Sequence, residues 1–482
     1  MMILSKLLWE SKETEYANWE ITKVTSKIEE IDNTCAFVFL NAVFHDNSFQ
    51  LYEIIKRSPK IIIASSDIPL QAPYIRVENP RRALSEMLYR FYFDQTTPPP
   101  IVGITGTNGK SSILHLLNHI FRDRYKIGLL GTQRIEIDGV PQQNAEYTMT
   151  TPDPEILYKS LYDMKMEKCD YVFMEVSSHA LALEKVAPLT FELALFTGTS
   201  EEHLDFHNTM ADYIKAKEKI FYQSKVAVLN IDDKIGQEYF HKIKTPKVSL
   251  GIQGADIRIE NPIANFMRDT IFTYCYGRNK YFVKTPLLAP HNAYNCAFAL
   301  YVYEFFCHDI PHALSRLSSI PQIKGRMECV LHAPSVFLDY AHTPTAMENV
   351  LRYFYRNKNK DQKVIVLFGA GGERDRKKRP GMARVAETYS DYCVVTTDNP
   401  RNESQYQIFH DIRQGFQQKK HRFITNRENA VAYAFSLCTT KDILILLGKG
   451  HEPYIIKNGK KMPYSELYSL FLARTRGGMY EN

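Results

Sequence analysis

Ile101-Val102-Gly103-Ile104-Thr105-Gly106-Thr107-Asn108-Gly109-Lys110-Ser111-Ser112 is the stretch on which the fold turns. Ile101 to Ile104 form an apolar run of strand length, and from Ser111 onward Ile113, Leu116, Leu117 and Ile120 recur at helical spacing. Strand, glycine turn and helix in that order make the setting a phosphate-cradling loop requires. Gly106 and Gly109 let successive backbone N–H groups approach a polyphosphate, and a helix opening near Lys110 adds its positive dipole end. Lys110 supplies a charge for the β- and γ-phosphates, and Ser111 a hydroxyl for magnesium. The expected ATP contacts are thus Gly106, Thr107, Asn108, Gly109, Lys110, Ser111 and Ser112. The common G-x-x-x-x-G-K-[ST] pattern would place glycine at 104, where Ile104 stands, so this is the shorter G-x-x-G-K-S form. A GKS triplet alone is as readily a surface turn; its flanks make it a nucleotide site.

Working outward, Thr96-Thr97-Pro98-Pro99-Pro100 is an extended connector, because a proline triplet cannot continue a helix. Downstream, Tyr171–Met174, Leu193–Phe196 and Val226–Leu229 are apolar runs trailed by polar residues. Near-continuous apolar strands alternating with helical stretches predict a parallel sheet covered on both faces. A second set follows at Val364–Phe368, Tyr392–Val395 and Ile443–Leu447. Its trailing loops are Gly369-Ala370-Gly371-Gly372-Glu373-Arg374-Asp375, Asp398-Asn399-Pro400-Arg401 and Gly448-Lys449-Gly450-His451-Glu452. Ligands in such sheets sit beyond the carboxyl ends of the strands, so two catalytic halves facing a shared cleft are expected. The first hundred residues read as a smaller mixed module with short β-like runs. The fold class is α/β in three domains: 1–97, a small mixed N-terminal module; 98–324, a central phosphate-loop domain with a mostly parallel sheet; and 325–482, a Rossmann-like domain.

Bulk properties narrow the function. At 482 residues the chain exceeds one ordinary core, and its 44% hydrophobic and 24% charged content is that of a globular protein. A net charge of +6 suits a phosphate-rich small molecule and is too diffuse for nucleic acid. Glu373-Arg374-Asp375-Arg376-Lys377-Lys378-Arg379 could be a basic patch, but acidic residues interrupt it and a glycine turn precedes it. None of the eight cysteines has C-x-x-C spacing, which speaks against a zinc ribbon or redox dithiol and for reduced thiols in the cytoplasm. No apolar run approaches the roughly 18 residues of a membrane span, and the amino-terminal run is too short for a secretory signal. A cytoplasmic monomer without membrane insertion is expected.

Glu175 ends the strand after the phosphate loop, where a metal-binding acid would stand; magnesium takes oxygen ligands and needs only one or two carboxylates. The plainer alternative is a solvated strand-end acid. His203, in Glu201-Glu202-His203-Leu204-Asp205-Phe206-His207, is a metal ligand or a structural hydrogen bonder, and spacing does not choose between them.

Taken together, GITGTNGKSS, TTPDP (150–154), MEVSSHALAL (174–183), FTGTSEEHLDFH (196–207), YIKAKEKIF (213–221), VLNIDD and HNAYN (291–295) resemble the Mur ligases of peptidoglycan synthesis. So do KGRMECV, LDYAHTP (338–344), GAGGERDRKKRP, TTDNPR and GKGHE, in order from about residue 100 to the end. The resemblance implies a UDP-binding module, an ATPase domain and an amino-acid-binding domain. It also implies the chemistry: ATP phosphorylates the D-glutamate γ-carboxylate of UDP-MurNAc-L-Ala-D-Glu, and an amino-acid amine attacks the acyl phosphate. It casts Lys110, Glu175, His203 and Lys217 as catalytic. Ser111, Glu175 and His203 would hold Mg2+, as would Lys217 in carbamylated form, since an unmodified ammonium beside the cation would be repelled. Asn295, Arg326, Asp339 and His342 correspond to further ATP contacts, across a domain interface. Thr150, Thr151, Ser177 and Lys185, with Ser26 in Val24-Thr25-Ser26-Lys27 and the loop Phe44 to Asn47, correspond to contacts with the nucleotide-peptide.

The resemblance also bears on which amino acid is added. Members with arginine fourth in Asp398-Asn399-Pro400-Arg401 resemble meso-diaminopimelate ligases. That amino acid has a second carboxylate, which a guanidinium fork matches bidentately. Arg374, Asp398, Asn399, Pro400, Arg401, Gly448 and Glu452 are its expected contacts, with Glu452 and the Gly448 backbone receiving the distal ammonium. A sister ligase adding lysine, D-Ala-D-Ala or glutamate to folate is the competing enzyme, against which Arg401 and GKGHE speak. A nucleotide-binding scaffold without turnover is the non-enzymatic one, against which Lys110, Glu175, His203 and Lys217 speak. Several residues depart from the family's usual ones: Thr25 for Asp, Lys185 for Arg, Gly198 for Asn, Glu202 for Asp, Ala289 for Gly, Lys324 for Pro and Asn426 for Asp. Of these, Thr25 and Gly198 each remove a side-chain function near a ligand.

Overall fold

In the computed structural model the strand Ile101–Thr105 is fully buried and lies at the centre of the first compact unit, residues 1–198 and 211–250. The structure describes all residues except 41–47, 69–71, 133, 143–148, 201–203, 208, 419 and 478–482. Ile101–Thr105 is flanked by Tyr171–Glu175 on one side and Phe191–Phe196 on the other, both parallel to it. The next strand in the chain, Ile127–Gly131, lies beyond Tyr171–Glu175, and the later strands Ser224–Asn230 and Lys247–Gly251 extend the opposite side. Strand order therefore reverses at Ile101–Thr105, and the crevice this opens at the strand ends is where the phosphate loop emerges. Arg134–Ile137 and Val140–Pro141 add an antiparallel edge.

The helix Lys110–Phe121 lays Ile113, Leu114, Leu116, Leu117, Ile120 and Phe121 into the core, each worth roughly 1.5–3 kcal/mol of burial. The N-terminal module of the same unit is a four-stranded parallel sheet in the order Lys23–Thr25, Cys35–Val38, Ile61–Ala64, Tyr74–Arg76. Its helix Pro80–Phe93, capped by Asn79, packs on the helix Pro154–Met166 and joins one continuous hydrophobic core with the larger sheet.

The second unit comprises residues 199–210 and 251–482. It opens with an antiparallel trio, Ile257–Asn265, Asp269–Tyr276 and Asn279–Thr285, which the sequence patterning left unassigned. Helices His291–Cys307 and Ile310–Ser318 follow. The six-stranded sheet runs Glu328–His332, Ser335–Asp339, Ile443–Leu447, Val364–Phe368, Tyr392–Thr396, His421–Ile424; all but the first strand are parallel. Insertion of the last strand, Ile443–Leu447, between the first two parallel ones gathers the loops after Asp339, Phe368, Thr396 and Leu447 at one end. Ala289, where the family's usual residue is glycine, is buried at φ +75°, a left-handed conformation that costs a residue with a Cβ about 1–2 kcal/mol. None of the eight cysteines forms a disulfide, and no helix among the described residues is long and apolar enough to cross a membrane.

Candidate active site

The first unit holds the phosphate loop. Gly106 has φ +140°, and a Cβ there would lie 1.9 Å from Thr197 Oγ1, so only glycine fits. Thr107 N donates to Gly198 O (2.9 Å) and Thr197 Oγ1 to Asn108 O (2.6 Å), which fixes the loop to the end of the neighbouring strand. Gly109 caps the helix that begins at Lys110. Lys110 Nζ folds back onto Gly106 O (2.8 Å) and Thr107 O (2.9 Å).

Glu175 is 1% exposed, so it is not the solvated strand-end acid of the plainer alternative. Its carboxylate accepts from Ser111 Oγ (3.1 Å), Thr132 N (3.2 Å) and Thr132 Oγ1 (3.2 Å). A buried carboxylate beside two hydroxyls is an all-oxygen donor set, the kind magnesium prefers. Among the described residues no three His, Cys, Asp or Glu side chains converge as a metal cluster. His203 and the Phe44–Asn47 loop lie outside the described residues.

Lys217, 2% exposed on the helix Met210–Tyr222, donates to Gly106 O at 3.0 Å and stands 4.7 Å from the centroid of the Tyr213 ring. Tyr213 OH in turn meets Thr107 Oγ1 at 2.8 Å. The structure thus brings Lys217 and Lys110 to the same loop carbonyl. Neither Tyr213 nor Thr132 is among the expected site residues; Tyr213 opens the YIKAKEKIF stretch without a role assigned to it, and Thr132 lies outside every quoted motif.

Beside Glu175, Thr151 Oγ1 donates to Glu175 O (2.9 Å) and accepts from Ser177 N (3.0 Å), while Ser177 caps the helix Ser178–Ala182. Thr132 Oγ1 lies 3.3 Å from Thr150 Oγ1. Lys185, buried, pairs with Asp153 Oδ1 at 2.7 Å. Ser26 donates through N and Oγ to Glu155 Oε1 (2.9 and 2.6 Å), so it sits against the segment that carries Thr150 and Thr151. Thr25 is occupied internally, donating to Glu30 Oε2 at 2.9 Å. At Gly198 a Cβ would lie 3.1 Å from Asp233 Oδ2, so the usual asparagine's place is next to a carboxylate here.

The second unit gathers the other predicted residues. Asn295 is buried and donates to Asn292 Oδ1 (2.9 Å). Asp339, at its strand end, accepts from Met327 N (2.8 Å) and Ala341 N (2.7 Å). Burial raises its carboxyl above the ordinary value despite Arg326 and those two N–H groups. The Arg326 guanidinium lies 4.9 Å from the Tyr340 ring centroid, and His342 Nδ1 donates to Tyr340 O (2.8 Å).

The loop 398–401 is held from several sides. Burial alone would raise Asp398, but Lys449, then Arg427, outweigh it and its carboxyl lies below the ordinary range. Lys449 has no exposed side-chain surface and donates to Asn399 Oδ1 (2.8 Å) and Glu452 Oε2 (2.8 Å). Ile456 N also donates to Asn399 Oδ1 (2.9 Å), so the amide's Nδ2 faces Glu452 Oε2 at 3.0 Å. Pro400 O accepts from Glu403 N (3.0 Å), and Arg401 Nη1 donates to Gly372 O at 2.7 Å. Buried Arg427 ties Thr397 O and Leu447 O to Glu466. Asn426 keeps the helix-capping role open to the usual aspartate, accepting from Asn429 N at 2.9 Å. Gly448 has φ +97°, and a Cβ there would lie 2.7 Å from Asp398 Oδ2. Gly448→Ala is therefore expected to displace Asp398 and raise the amino-acid KM about tenfold or more at a modest loss of melting temperature, as steady-state kinetics with thermal unfolding would show.

The chain is 33% identical over 464 residues to UDP-N-acetylmuramoyl-L-alanyl-D-glutamate--2,6-diaminopimelate ligase 1 of Clostridium acetobutylicum, covering 93% of this chain and 94% of that one. It is 34% identical over 456 residues to the ligase of the same substrate name from Clostridioides difficile, covering 91% and 92%. The chain belongs to the Mur ligase family. The Mur ligase middle domain matches residues 104–303, and the Mur ligase glutamate ligase domain residues 325–450. Mur ligases form amide bonds at the expense of ATP, and this chain is an enzyme of that kind. Solved structures share the fold. A UDP-N-acetylmuramoyl-L-alanyl-D-glutamate--2,6-diaminopimelate ligase superposes with a TM-score of 0.69 at 23% identity over 99% of both chains. MurF from Acinetobacter baumannii gives 0.63 at 16% identity, over 92% of this chain and 95% of that one. The α/β class expected from the strand pattern is that of the family.

Proposed function

We propose that this Mur ligase adds meso-2,6-diaminopimelate to UDP-N-acetylmuramoyl-L-alanyl-D-glutamate in cytoplasmic peptidoglycan precursor synthesis, acting as a monomer. The observation that carries the choice of amino acid is the pairing of Arg401 with Arg374 on adjoining strand-end loops, in a chain whose full-length relatives bear that substrate name. Lysine lacks the second carboxylate such a pair would grip.

In this mechanism the N–H groups of residues 106–112 and the Lys110 ammonium hold the ATP phosphates. A carboxylate oxygen of the D-glutamate end attacks the γ-phosphorus and ADP leaves, giving an acyl phosphate. The amine of diaminopimelate then attacks the carbonyl carbon, a tetrahedral species forms, phosphate departs with the C–O bonding pair, and the amine loses a proton. Thr150, Thr151, Ser177, Lys185 and Ser26 position the nucleotide-peptide, and Asn295, Arg326, Asp339 and His342 complete the ATP contacts. Ser111, Glu175, His203 and Lys217, the last as a carbamate, would hold Mg2+, which when bound offsets the charge of the crowded anionic oxygens. Glu452 and the Gly448 backbone receive the distal ammonium, with Asp398, Asn399 and Pro400 shaping the same loop, beside the carboxylate held by Arg374 and Arg401.

Phosphate release from ATP in the presence of UDP-MurNAc-L-Ala-D-Glu tests this directly. Turnover is expected with meso-diaminopimelate and to be lower by about a hundredfold or more in kcat/KM with L-lysine. Turnover with lysine alone would remove the amino-acid assignment, and none with either would favour a scaffold.

A further inference from the structure

Arg379 belongs to a run of basic residues, yet its side chain has no exposed surface. It forks onto Glu403, with Nη1 to Oε1 at 2.6 Å and Nη2 to Oε2 at 2.7 Å. Nη1 also donates to Asp411 Oδ2 (2.8 Å) and Nη2 to Gly371 O (3.1 Å). Arg376 joins from outside, meeting both Asp411 oxygens at 3.0 and 3.1 Å. The Arg379 interaction holds the Glu403 carboxyl below its usual range. Burial works the other way at Asp411, but Arg376, Gln407 and Arg379 hold it at about 2.

This cluster joins two loops, the glycine-rich one at Gly371 and the arginine loop at Glu403. Arg374 and Arg401 both approach Gly371: a Cβ there would be 3.1 Å from Arg401 Nη1 and 3.6 Å from Arg374 Cγ. Burial, and then the Arg374 charge, push Arg401 below the ordinary arginine value, so the two guanidiniums repel. Against that repulsion the loops are stitched together. Glu373 N donates to Glu403 Oε2 (2.9 Å), Asn402 Nδ2 to Glu373 Oε1 (2.9 Å), Gly372 N to Asn399 O (2.9 Å) and Arg401 Nη1 to Gly372 O (2.7 Å). Arg379 is the centre of the stitching, since it grips the glycine-rich loop at Gly371 and the arginine loop at Glu403 with one planar group.

We infer that Arg379, with Glu403 and Asp411, is a positioning clasp that holds Arg374 and Arg401 close enough to share one carboxylate, and so sets the preference for an amino acid carrying a second carboxylate. This rests on the amino-acid assignment made above. A purely structural ion cluster would support the fold alike for every substrate. The clasp acts on one substrate group.

The experiment uses the full chain, with wild type, Glu403→Gln and Arg379→Lys assayed against meso-diaminopimelate and L-lysine. Glu403→Gln keeps the shape and removes the charge; Arg379→Lys keeps the charge and removes the fork. Both are expected to raise KM for meso-diaminopimelate about tenfold or more, with kcat at saturation and KM for ATP within about twofold, and lysine turnover unmoved. Discrimination between the two amino acids then falls by the same factor. On an Arg401→Ala background, Glu403→Gln is expected to add less than about twofold. Equal losses with both amino acids, an unchanged KM, or full additivity on Arg401→Ala would overturn the clasp. If Arg379→Lys fails to fold, Glu403→Gln decides. Wild type that does not prefer diaminopimelate refutes the amino-acid assignment; wild type that does, with unaffected variants, refutes the clasp alone.

Discussion

Lys217→Ala is expected to lower phosphate release by about a thousandfold or more while leaving the fold intact. Lys217 and Lys110 both donate to Gly106 O, at 3.0 and 2.8 Å, and Lys217 is 2% exposed. Two ammonium groups sharing that oxygen are less than about 6 Å apart, where unit positive charges repel by about 3 kcal/mol or more at an effective dielectric near 20, before any desolvation is counted. Carbamylation would remove that conflict: the neutral amine would take up carbon dioxide and release a proton, leaving an anion in place of the ammonium. That anion would face Lys110 attractively and offer oxygens to a cation. Alanine deletes the group and leaves no buried unpaired charge, so the melting temperature should hold. Activity of Lys217→Ala should return in part with millimolar acetate, a small carboxylate able to occupy the vacated space, and Lys217→Arg should not be rescued. Full activity in Lys217→Ala would remove the residue from the site.

Arg401→Ala is expected to raise the KM for meso-diaminopimelate by about a hundredfold or more, because truncating one partner of a buried charge-assisted pair typically costs 2–5 kcal/mol. Two features place this guanidinium. Its own backbone is held at φ +54° by Arg401 N to Ile456 O (3.0 Å) and Asn458 N to Arg401 O (2.8 Å), and its Nη1 is held by Gly372 O. Arg401→Lys keeps the charge but not the fork, and should recover little of the loss. The KM for L-lysine should scarcely move in either variant. A parallel rise for both amino acids would instead assign Arg401 to the α-carboxylate that they share.

The strands around both candidate sites were legible in the sequence because their signals are local. Ile101–Thr105, Tyr171–Glu175, Val364–Phe368 and Ile443–Leu447 are runs of apolar residues ended by polar loops, as buried parallel strands must be. The antiparallel trio Ile257–Asn265, Asp269–Tyr276 and Asn279–Thr285 has no such signature, because charged and polar residues on its outer face break up the runs. Among site residues, Lys110 and Ser111 follow from the loop's own geometry. Lys217 does not: it is one lysine among several on a helix, and only the family's motif picked it out. Lys449 and Arg379 carry no local signal of their burial. Glu452 meets Lys449 from three residues away, but Asn399, and Glu403 and Asp411 in the case of Arg379, are contributed by distant segments.

The hairpin bond that fixes Arg401 also dictates an order of events during synthesis. The phosphate-loop partners described above, from Gly106 to Lys217 and Asn230, leave the ribosome ahead of residue 251. The arginine loop, by contrast, waits for Ile456 and Asn458 to lock its backbone, and for Glu466 to neutralise Arg427 beneath it. A nascent chain can therefore shape its phosphate loop long before it can tell one amino acid from another, and selectivity is among the last properties the growing polypeptide acquires.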